Sequence, residues 1–547
     1  MHSRQNTVAT LLALLAALVG VTTLLYLACK PGLAFYGFLL LVGRSAIALA
    51  IFAITKLDLK ANGRDQSSAS TALLNSSWLL IIAGFMIFVA AIGTIVLIGK
   101  LTRPARPVAI APTSSSLVGA QPIVWAQLQP SKDGLGIRIL ARAIVDAAKD
   151  CPAALVVDGK EIKPGAMTTR PWTTNENFPI RICEIELDKG QSVRIGDVQL
   201  DPPPTNPTRI VVIGDSGCRI VNYQAAQRCN IGQDWPLETI AAAVKRAKPD
   251  LIVHVGDYHY RESPCNGQDG CEPSPFGDTW STWQTEFFRP AATILTAAPW
   301  IMVRGNHEDC ERAYTGWDYL LSLRPRSNAT PKCGDEEPYA LPFDHLTMTV
   351  LDTANAEFKH GLDQRGEAYR KRMDDLKLVL QKRSGDKWLL LHQPFWVAYV
   401  GLCDESKLTC SVPSETDPKK IKQDAIGQIR SWIADEKELK FSLVLSGHTH
   451  NFQLFAPANP SKGLPLQLVA GMSGTALDRW TAKQSMLRQR IAATLNGDPG
   501  ALWVDHEFGF VLLTKNNDVW TVGYHDMRGN ERMNCPLAND KTACTAR

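Results

Sequence analysis

Five short apolar runs in this chain each end in polar residues whose side chains can bind a metal ion. The polar blocks are Gly214-Asp215-Ser216-Gly217, Gly256-Asp257-Tyr258-His259-Tyr260, Gly305-Asn306-His307-Glu308, His392 and Gly447-His448-Thr449-His450. Carboxylate, amide, phenol and imidazole groups are ligands for hard and borderline cations. The glycines beside them allow tight turns and close approach of the backbone. One Gly-Asp pair or one histidine would mean little, but five such blocks together predict a metal site.

The runs that precede these blocks have the composition of strands buried on both faces. They are RIVVIG (209–214), LIVHVG (251–256), WIMVRG (300–305), WLLLH (388–392) and FSLVLSG (441–447), and LTMTVLD (346–352) is a sixth run of the same kind without a polar block. Helical segments are predicted among them at about 235–247, 279–297, 364–383 and 419–435. This alternation predicts an α/β layered core. Because ligands bind at the carboxyl edge of such sheets, we expect the polar blocks to meet there.

The order of the blocks resembles the calcineurin-like metallophosphoesterase superfamily, whose signature is D-x-[HG], G-D, G-N-H-[DE], H and G-H-x-H. All five are present in order over about residues 209–450. Gly217 stands where most members carry a ligand histidine, and Tyr260 follows Asp257 by three residues. This pairing of D-x-G with G-D-x-x-Y resembles the purple acid phosphatase branch. The resemblance implies a four-layer α/β fold with two mixed β-sheets flanked by helices.

The resemblance also implies two metal ions that share one ligand, Asp257. The first ion would be held by Asp215, Asp257, Tyr260 and His450. The second would be held by Asp257, Asn306, His392 and His448. A phenolate suits a trivalent ion, so the implied pair is ferric iron with a divalent ion (zinc, manganese or iron). His307 would be the catalytic residue, as a general acid or an electrostatic stabiliser, and no other cofactor is implied.

The residues around these ligands depart from the family pattern. Between Gln393 and Cys410 there is no histidine, although plant-type members carry substrate-contacting histidines there. After His450 the chain has Asn-Phe-Gln in place of aromatic-Glu-Arg. The resemblance therefore covers the metal ligands better than the substrate contacts. His254, in an apolar run, is interpreted as a core residue, whereas His259 fits either the core or the cleft.

Three further regions precede the predicted catalytic domain at 207–547. Residues 1–99 contain three hydrophobic runs, and residues 100–121 are rich in Pro, Ser and Ala, as in a linker. In residues 122–206, short apolar stretches alternate with turn residues, which predicts a small accessory β-sandwich. Plant-type purple acid phosphatases have a similar accessory domain.

The hydrophobic runs cover about 8–28, 33–55 and 77–99, and each is long enough to cross a bilayer. The third contains no charged residue. The first could instead be a signal sequence, cleaved near Cys29. Loop charges are balanced and leave the orientation open. Arg44, within the second run, is either functional or paired inside the bundle, and we favour pairing.

Cysteines favour an oxidising compartment. Twelve of the thirteen lie beyond residue 150, and the simplest pairing joins sequential neighbours. That pairing is 151–183, 218–229, 265–271, 310–333, 403–410 and 535–544. Free buried cysteines and zinc sites are the alternatives, and the absence of a C-x-x-C pair weakens the second. We therefore expect a protein of a bacterial inner membrane or a plasma membrane, with the catalytic domain extracytoplasmic.

The predicted activity is hydrolysis of a phosphate monoester by metal-activated water. The substrate would be a small-molecule or lipid phosphate ester. One alternative is a phosphodiesterase or pyrophosphatase acting on lipids or nucleotides, and another is a non-catalytic membrane scaffold or sensor. A net charge of +4 without a concentrated basic patch does not indicate a nucleic-acid partner, and none is expected. The sequence leaves the oligomeric state open.

Overall fold

The structure is a computed structural model. It describes residues 121–546 apart from 172–175, 223, 325–332, 357–361, 396–402, 405–408, 411–425, 427–428, 430–431, 434–435, 437–438, 458–463, 479–500, 539–540 and 543. The three hydrophobic runs, Arg44 and the linker lie outside the described residues. Within the described part of the chain, no helix is both long and apolar enough to cross a membrane.

The larger of two main sheets has twelve strands and is built around three parallel ones. These are β9 (Arg209–Ile213), β10 (Leu251–His254) and β11 (Trp300–Met302). Antiparallel strands extend it beyond β9: β21 (Gly509–Asn516), β22 (Val519–Asp526), β23 (Glu531–Ala538), β24 (Lys541–Thr542) and β25 (Thr545–Ala546). Beyond β11 lie β1 (Ile123–Pro130), β2 (Ile137–Asp146), β6 (Ile180–Leu187) and β5 (Thr168–Thr169).

The second main sheet has seven strands. Its order is β12 (Tyr339–Pro342), β13 (Leu346–Val350), β14 (Asp386–Leu390), β17 (Leu443–Ser446), β19 (Leu466–Ala470), β18 (Phe452–Ala456) and β20 (Ala501–Asp505). Four neighbours, β13, β14, β17 and β19, run parallel. Two short strands, β15 (Cys403–Asp404) and β16 (Thr409–Cys410), form a separate hairpin.

The described helices are mostly short. They are α1 (Leu237–Ala247), α2 (Trp280–Trp283), α3 (Ala292–Leu295), α4 (Tyr314–Gly316) and α5 (Leu362–Leu380). The predicted helix at 279–297 is divided, because a π-helical turn at Gln284–Phe288 follows α2 directly. A second π-helical turn spans Trp317–Leu321, and a 3-10 turn spans Asn306–Glu308.

Helix α1 shows why these elements form. Its buried residues Leu237, Ile240, Ala241 and Val244 recur at helical spacing and make one apolar face. An acidic residue lies in its first turn and basic residues lie in its last, which suits the helix dipole. The helix ends before Lys248, whose φ of 49° is left-handed.

The core has four layers, because the central strands are buried on both faces. Along β9, Ile210 and Val212 pack toward the second sheet, whereas Val211 and Ile213 pack against α1 and the π-helical turn. The second sheet alternates in the same way, with Leu390 and Leu445 toward the first sheet and Leu389 and Val444 toward α5. This arrangement of two mixed sheets flanked by helices is the fold that was predicted for the catalytic domain.

Strands form in residues 122–206 as predicted, but their arrangement differs from a self-contained sandwich. Strands β1, β2, β5 and β6 join the twelve-stranded sheet through a parallel contact between β1 and β11. Only β3 (Ala154–Asp158), β4 (Glu161–Gly165), β7 (Ser192–Ile195) and β8 (Val198–Leu200) form a separate four-stranded sheet. The alternation of apolar residues predicts a strand but not its partner, which explains the difference.

Five of the six predicted cysteine pairs are disulfides: 151–183, 218–229, 265–271, 310–333 and 535–544. For the sixth, Cys403 and Cys410 are directly opposed in the hairpin of β15 and β16, and their side chains lie outside the description. The five bonds are typical of a domain that folds in an oxidising compartment.

Candidate metal centre

The predicted ligands lie just beyond the carboxyl ends of five parallel strands. The strands are β9, β10 and β11 of one sheet and β14 and β17 of the other. Three of the ligands have left-handed backbones, with φ of 51° at Asp215, 61° at Asp257 and 72° at His448. Such conformations cost about 1–3 kcal/mol each and persist where the surrounding structure enforces them, commonly at functional sites.

Two glycines let the backbone approach the carboxylates. A Cβ atom on Gly305 would overlap the carboxylate of Asp257, and one on Gly447 would overlap that of Asp215. No other residue type fits at either position without displacing a predicted ligand. The glycines of these blocks therefore have a steric role as well as a conformational one.

One group of predicted ligands surrounds the phenol of Tyr260. Its Oη lies 3.1 Å from Asp215 Oδ1, 2.7 Å from Asp257 Oδ2 and 2.9 Å from His450 Nε2. Asp215, Asp257 and Tyr260 are buried, and the side chain of His450 is 12% exposed. The four residues of the first predicted ligand set are thus in mutual contact.

A second group surrounds the ring of His392. Its Nε2 lies 2.8 Å from Asn306 Oδ1 and 3.2 Å from Asp257 Oδ2, and His448 Nδ1 lies 2.8 Å from the same asparagine oxygen. One ligand atom each from Asp257, His392 and His448 lie within 4.8 Å of one another. Asp257 Oδ2 is common to both groups, so the geometry brings together every predicted ligand.

The donor atoms fit cations at both groups. A phenol carries one proton, yet Tyr260 Oη faces two carboxylates and an imidazole nitrogen. The Nδ1 of His392 lies 2.8 Å from the carbonyl oxygen of Val255, so its Nε2 faces the two oxygen acceptors Asn306 Oδ1 and Asp257 Oδ2. Among the described residues, neither Asp215 nor Asp257 forms an ion pair with a lysine or arginine. Buried carboxylates need such compensation, and metal ions would supply it.

The pKa values of the metal-free cluster also indicate that its buried acidic groups need positive charge beside them. Burial raises the pKa of Asp215 and of Tyr260 well above their usual values. Burial also opposes ionisation of Asp257, but the charges of His392 and His307 outweigh it and hold its pKa well below the usual range. Despite burial, the charge of Asp257 raises the pKa of His392 to about 9. The imidazolium of His392 thus takes the place of a cation beside Asp257.

His307, the predicted catalytic residue, lies at the edge of this cluster. Its Nε2 is 3.9 Å from Asp257 Oδ2, and its ring packs against that of Tyr260 with centroids 3.8 Å apart. Its Nδ1 lies 2.6 Å from Glu262 Oε1, and Arg312 approaches the same oxygen at 3.7 Å. Glu262 therefore fixes the ring so that Nε2 faces the cluster. The sequence analysis gave Glu262 no role, because its separation from His307 conceals the contact.

Another buried carboxylate, that of Glu308, fixes two of the ligand loops. The sequence analysis gave it no role. Glu308 accepts hydrogen bonds from four backbone N–H groups, those of Asp257, Tyr258, His259 and Gly305, at 2.8–3.1 Å. It is fully buried and joins the loop after β10 to the loop after β11. Its place in the G-N-H-E block was the only signal in the sequence.

A third supporting carboxylate belongs to Asp478. It accepts a hydrogen bond from the backbone N–H of His450 at 3.0 Å and lies 3.6 Å from His450 Nδ1. Asp478 therefore fixes the backbone at His450 and places a negative charge near the outer nitrogen of its ring. Nothing in the sequence around residue 478 indicates this role.

The remaining histidines are separate from the cluster. His254 is fully buried, lies 2.8 Å from Ser216 Oγ and stacks on Tyr258, as expected of a core residue. His259 is also buried, and its Nε2 contacts the carbonyl oxygen of Gly277 rather than any predicted ligand. Asn451, which follows the last block, is buried against Gln453 and does not line the site.

Comparison with known proteins agrees with this geometry. Residues 208–452, just under half of the chain, match the family of calcineurin-like phosphoesterases. The resemblance inferred from the five blocks is thereby confirmed. The matched domain is that of a metal-dependent phosphoric ester hydrolase, a class with a dinuclear metal centre. No curated protein matches the chain in sequence.

Three solved structures that are similar to this chain are distant from it in sequence. PhoD is 13% identical, with 80% of this chain and 94% of that chain covered and a TM-score of 0.51. Purple acid phosphatase PPD1 from yellow lupin seeds is 13% identical, with 75% and 73% covered and a TM-score of 0.48. GAP50, the anchor in the inner membrane complex of Plasmodium, is 14% identical, with 59% and 86% covered and a TM-score of 0.34.

Proposed function

We propose that this protein is a dinuclear-metal phosphatase that hydrolyses a phosphate monoester, with ferric iron at one position and a divalent ion at the other. The observation that carries the proposal is the convergence of two carboxylates and an imidazole on Tyr260 Oη, within 3.1 Å. A phenolate is a hard, anionic donor and suits a trivalent ion. The preference for a monoester rests on the D-x-G and Tyr260 pattern, which resembles purple acid phosphatases.

The two contact groups supply the ligand sets of the proposal. Asp215, Asp257, Tyr260 and His450 would hold the ferric ion. Asp257, Asn306, His392 and His448 would hold the divalent ion, which we take to be zinc, manganese or iron. Bound there, the ions would stabilise charge on the phosphoryl oxygens and activate the attacking water.

The protein's own residues would complete the reaction. Asp257 would hold the two ions together through the oxygen that both contact groups share. His307 would present Nε2 to the leaving oxygen and either protonate it or stabilise its charge. Glu262, at 2.6 Å, would keep that ring from turning. No side chain is needed as a nucleophile.

We also propose that the catalytic domain lies outside the membrane, anchored by the hydrophobic runs at 8–28, 33–55 and 77–99. Five disulfides in the described part of the chain support an oxidising compartment. The runs themselves support an anchor, since each is long enough to cross a bilayer. Protease added to spheroplasts should remove the catalytic domain while a cytoplasmic marker survives; complete protection of the catalytic domain would contradict this topology.

The test of the activity compares hydrolysis of an aryl phosphate monoester and an aryl phosphate diester by the purified protein. Iron, zinc and manganese are supplied across a pH series, and Asp257→Asn is the blank. We expect faster hydrolysis of the monoester. A faster diester rate would overturn the monoesterase assignment in favour of a lipid or nucleotide diesterase. Metal binding without either activity would contradict both and favour the scaffold.

A further inference from the structure

We propose that Glu286 is the positioning residue that makes Tyr260 available to the ferric ion. This inference rests on the proposed function, because it concerns the ligand that distinguishes the ferric position from the divalent one. Glu286 lies 26 residues beyond Tyr260 in the chain and belongs to none of the five metal-binding blocks.

The carboxylate of Glu286 connects the loops that carry two ferric-site ligands. Its Oε1 accepts hydrogen bonds from the backbone N–H of Cys218 at 2.7 Å and of Tyr260 at 2.8 Å. Cys218 follows Asp215 by three residues, in the loop after β9, whereas Tyr260 lies in the loop after β10. One oxygen atom therefore fixes the separation between the loop of the aspartate ligand and the loop of the tyrosine ligand.

Glu286 also occupies the space next to Gly217. A Cβ atom on Gly217 would lie 2.6 Å from Glu286 Oε1, 2.7 Å from the carbonyl oxygen of Tyr258 and 2.9 Å from the ring of Tyr260. Position 217 consequently cannot carry a side chain, and so cannot supply a ligand of its own. The carboxylate and the phenol fill that space together, which leaves Tyr260 as the ligand on this side.

The local backbone explains how a glutamate comes to be buried here. Glu286, Phe287 and Phe288 are three consecutive residues with at most 1% exposure, and all lie in the π-helical turn. A π-helical turn contains one more residue than an α-helical turn, so that more consecutive side chains can face inward. Such turns are frequent at functional sites. The aromatic residues pack into the core, and the carboxylate reaches the two loops.

Glu286 and Glu308 act on different ligands. Glu308 accepts from the backbone N–H groups of Asp257, Tyr258 and His259, whereas Glu286 accepts from that of Tyr260 and, at 3.4 Å, from that of Arg261. Glu308 therefore holds the backbone at the shared ligand Asp257, whereas Glu286 holds the backbone at Tyr260. Loss of Glu286 should therefore disturb the ferric position and leave the divalent position intact.

The test uses the full chain with Glu286→Ala, Glu286→Gln and, as a matched control, Glu238→Gln on the exposed face of α1. We measure ferric affinity and the visible phenolate-to-iron charge-transfer band, with cobalt binding as the report on the divalent position. Glu286→Ala should lower ferric affinity by about 10–100-fold, as for other outer-shell partners, and lose the band, with cobalt binding unchanged. Glu286→Gln, whose amide oxygen still accepts, should retain most of both. Wild-type affinity and colour in Glu286→Ala would overturn the inference.

Amide hydrogen exchange in the metal-free protein separates this inference from the proposed function. In Glu286→Ala, exchange at the amides of Cys218 and Tyr260 should accelerate by about tenfold while the amide of Asp257 stays protected, and in Glu286→Gln, whose amide oxygen still accepts, exchange should stay close to wild type. Unchanged exchange at Cys218 and Tyr260 in Glu286→Ala would contradict the role of Glu286 whatever metal is bound. A colourless, active wild-type protein would instead overturn the ferric assignment. The role of Glu286 in holding the two loops would then be tested by the amide hydrogen exchange alone.

Discussion

Replacing Glu308 by glutamine should destabilise the metal-free protein, because its carboxylate accepts four backbone hydrogen bonds from two ligand loops. The amide oxygen of glutamine can accept two of them, and its NH2 group faces the other two donors. A buried donor left without a partner costs about 1–3 kcal/mol, so two such donors cost about 2–6 kcal/mol. That loss is a large fraction of the total stability of a typical domain, which is about 5–15 kcal/mol.

Urea denaturation in the presence of a chelator measures this loss directly. The pH should be kept near 8, because burial and the charge of Asp257 raise the pKa of Glu308 to about 7. Glu311→Gln is the matched control, since Glu311 is exposed and lies three residues further along. The control should change the free energy of unfolding by less than about 0.5 kcal/mol. If Glu308→Gln falls within the same range, the ligand loops do not depend on this carboxylate.

Three further predictions test other parts of the site. His307→Ala should lower kcat for the monoester by about 10²–10⁴-fold with metal content unchanged, and an unaltered kcat would exclude His307 from the chemistry. Burial lowers the pKa of His392, but the charge of Asp257 outweighs it and raises that pKa to about 9 in the metal-free protein. The stability given by the charged imidazole is thus complete below pH 6.5 and lost as the pH rises through 9. Divalent-metal binding at pH 7 should release about one proton from His392, measured by calorimetry in two buffers, and its absence would contradict the ligand role. Replacing Cys218 and Cys229 by serine opens a loop with a sequence separation of 11 and should cost about 3 kcal/mol of thermal stability; an unchanged Tm would refute this.

The candidate ligands can be predicted to lie together because each follows a strand directly in the chain. The apolar run before Asp215 identifies β9, and the parallel order of β9, β10 and β11 places Asp257 and Asn306 at the same edge. The sheet-edge rule then brings these residues together without knowledge of the whole fold. Local pattern and topology thus suffice to predict that the candidate ligands converge.

The supporting carboxylates are not predictable by the same reasoning. Glu286 contacts Cys218 across 68 residues of sequence, and Asp478 contacts His450 across 28. Hydrogen bonds from backbone N–H groups leave no complementary residue type in the sequence, so no pattern marks their acceptor. Glu286 is the one charged residue of WSTWQTEFF (280–288) and directly precedes two phenylalanines, which was the one local indication that it is exceptional.

The same limitation applies to the strands of residues 122–206. The alternation in β1 predicts a strand, and residues such as Trp125 and Leu128 are fully buried. Which neighbour β1 adopts depends on the exposed edge that β11 offers, a property of the assembled sheet. The pairing of Gln127 with Trp300 could therefore be found only in the structure. The divided helix at 279–297 follows equally from packing, since the aromatic residues of α2 and of the π-helical turn are all buried in one core cluster.

Asp257 is the proposed bridge between the two metal ions, and the dinuclear assignment depends on it. The most direct test is the metal content and phosphatase activity of Asp257→Asn, with Asp269→Asn as a control because the side chain of Asp269 is 90% exposed. We predict about two ions per chain in the wild type and the control. We predict at most one ion in Asp257→Asn, with activity lost. Two ions and full activity in Asp257→Asn would contradict the dinuclear assignment.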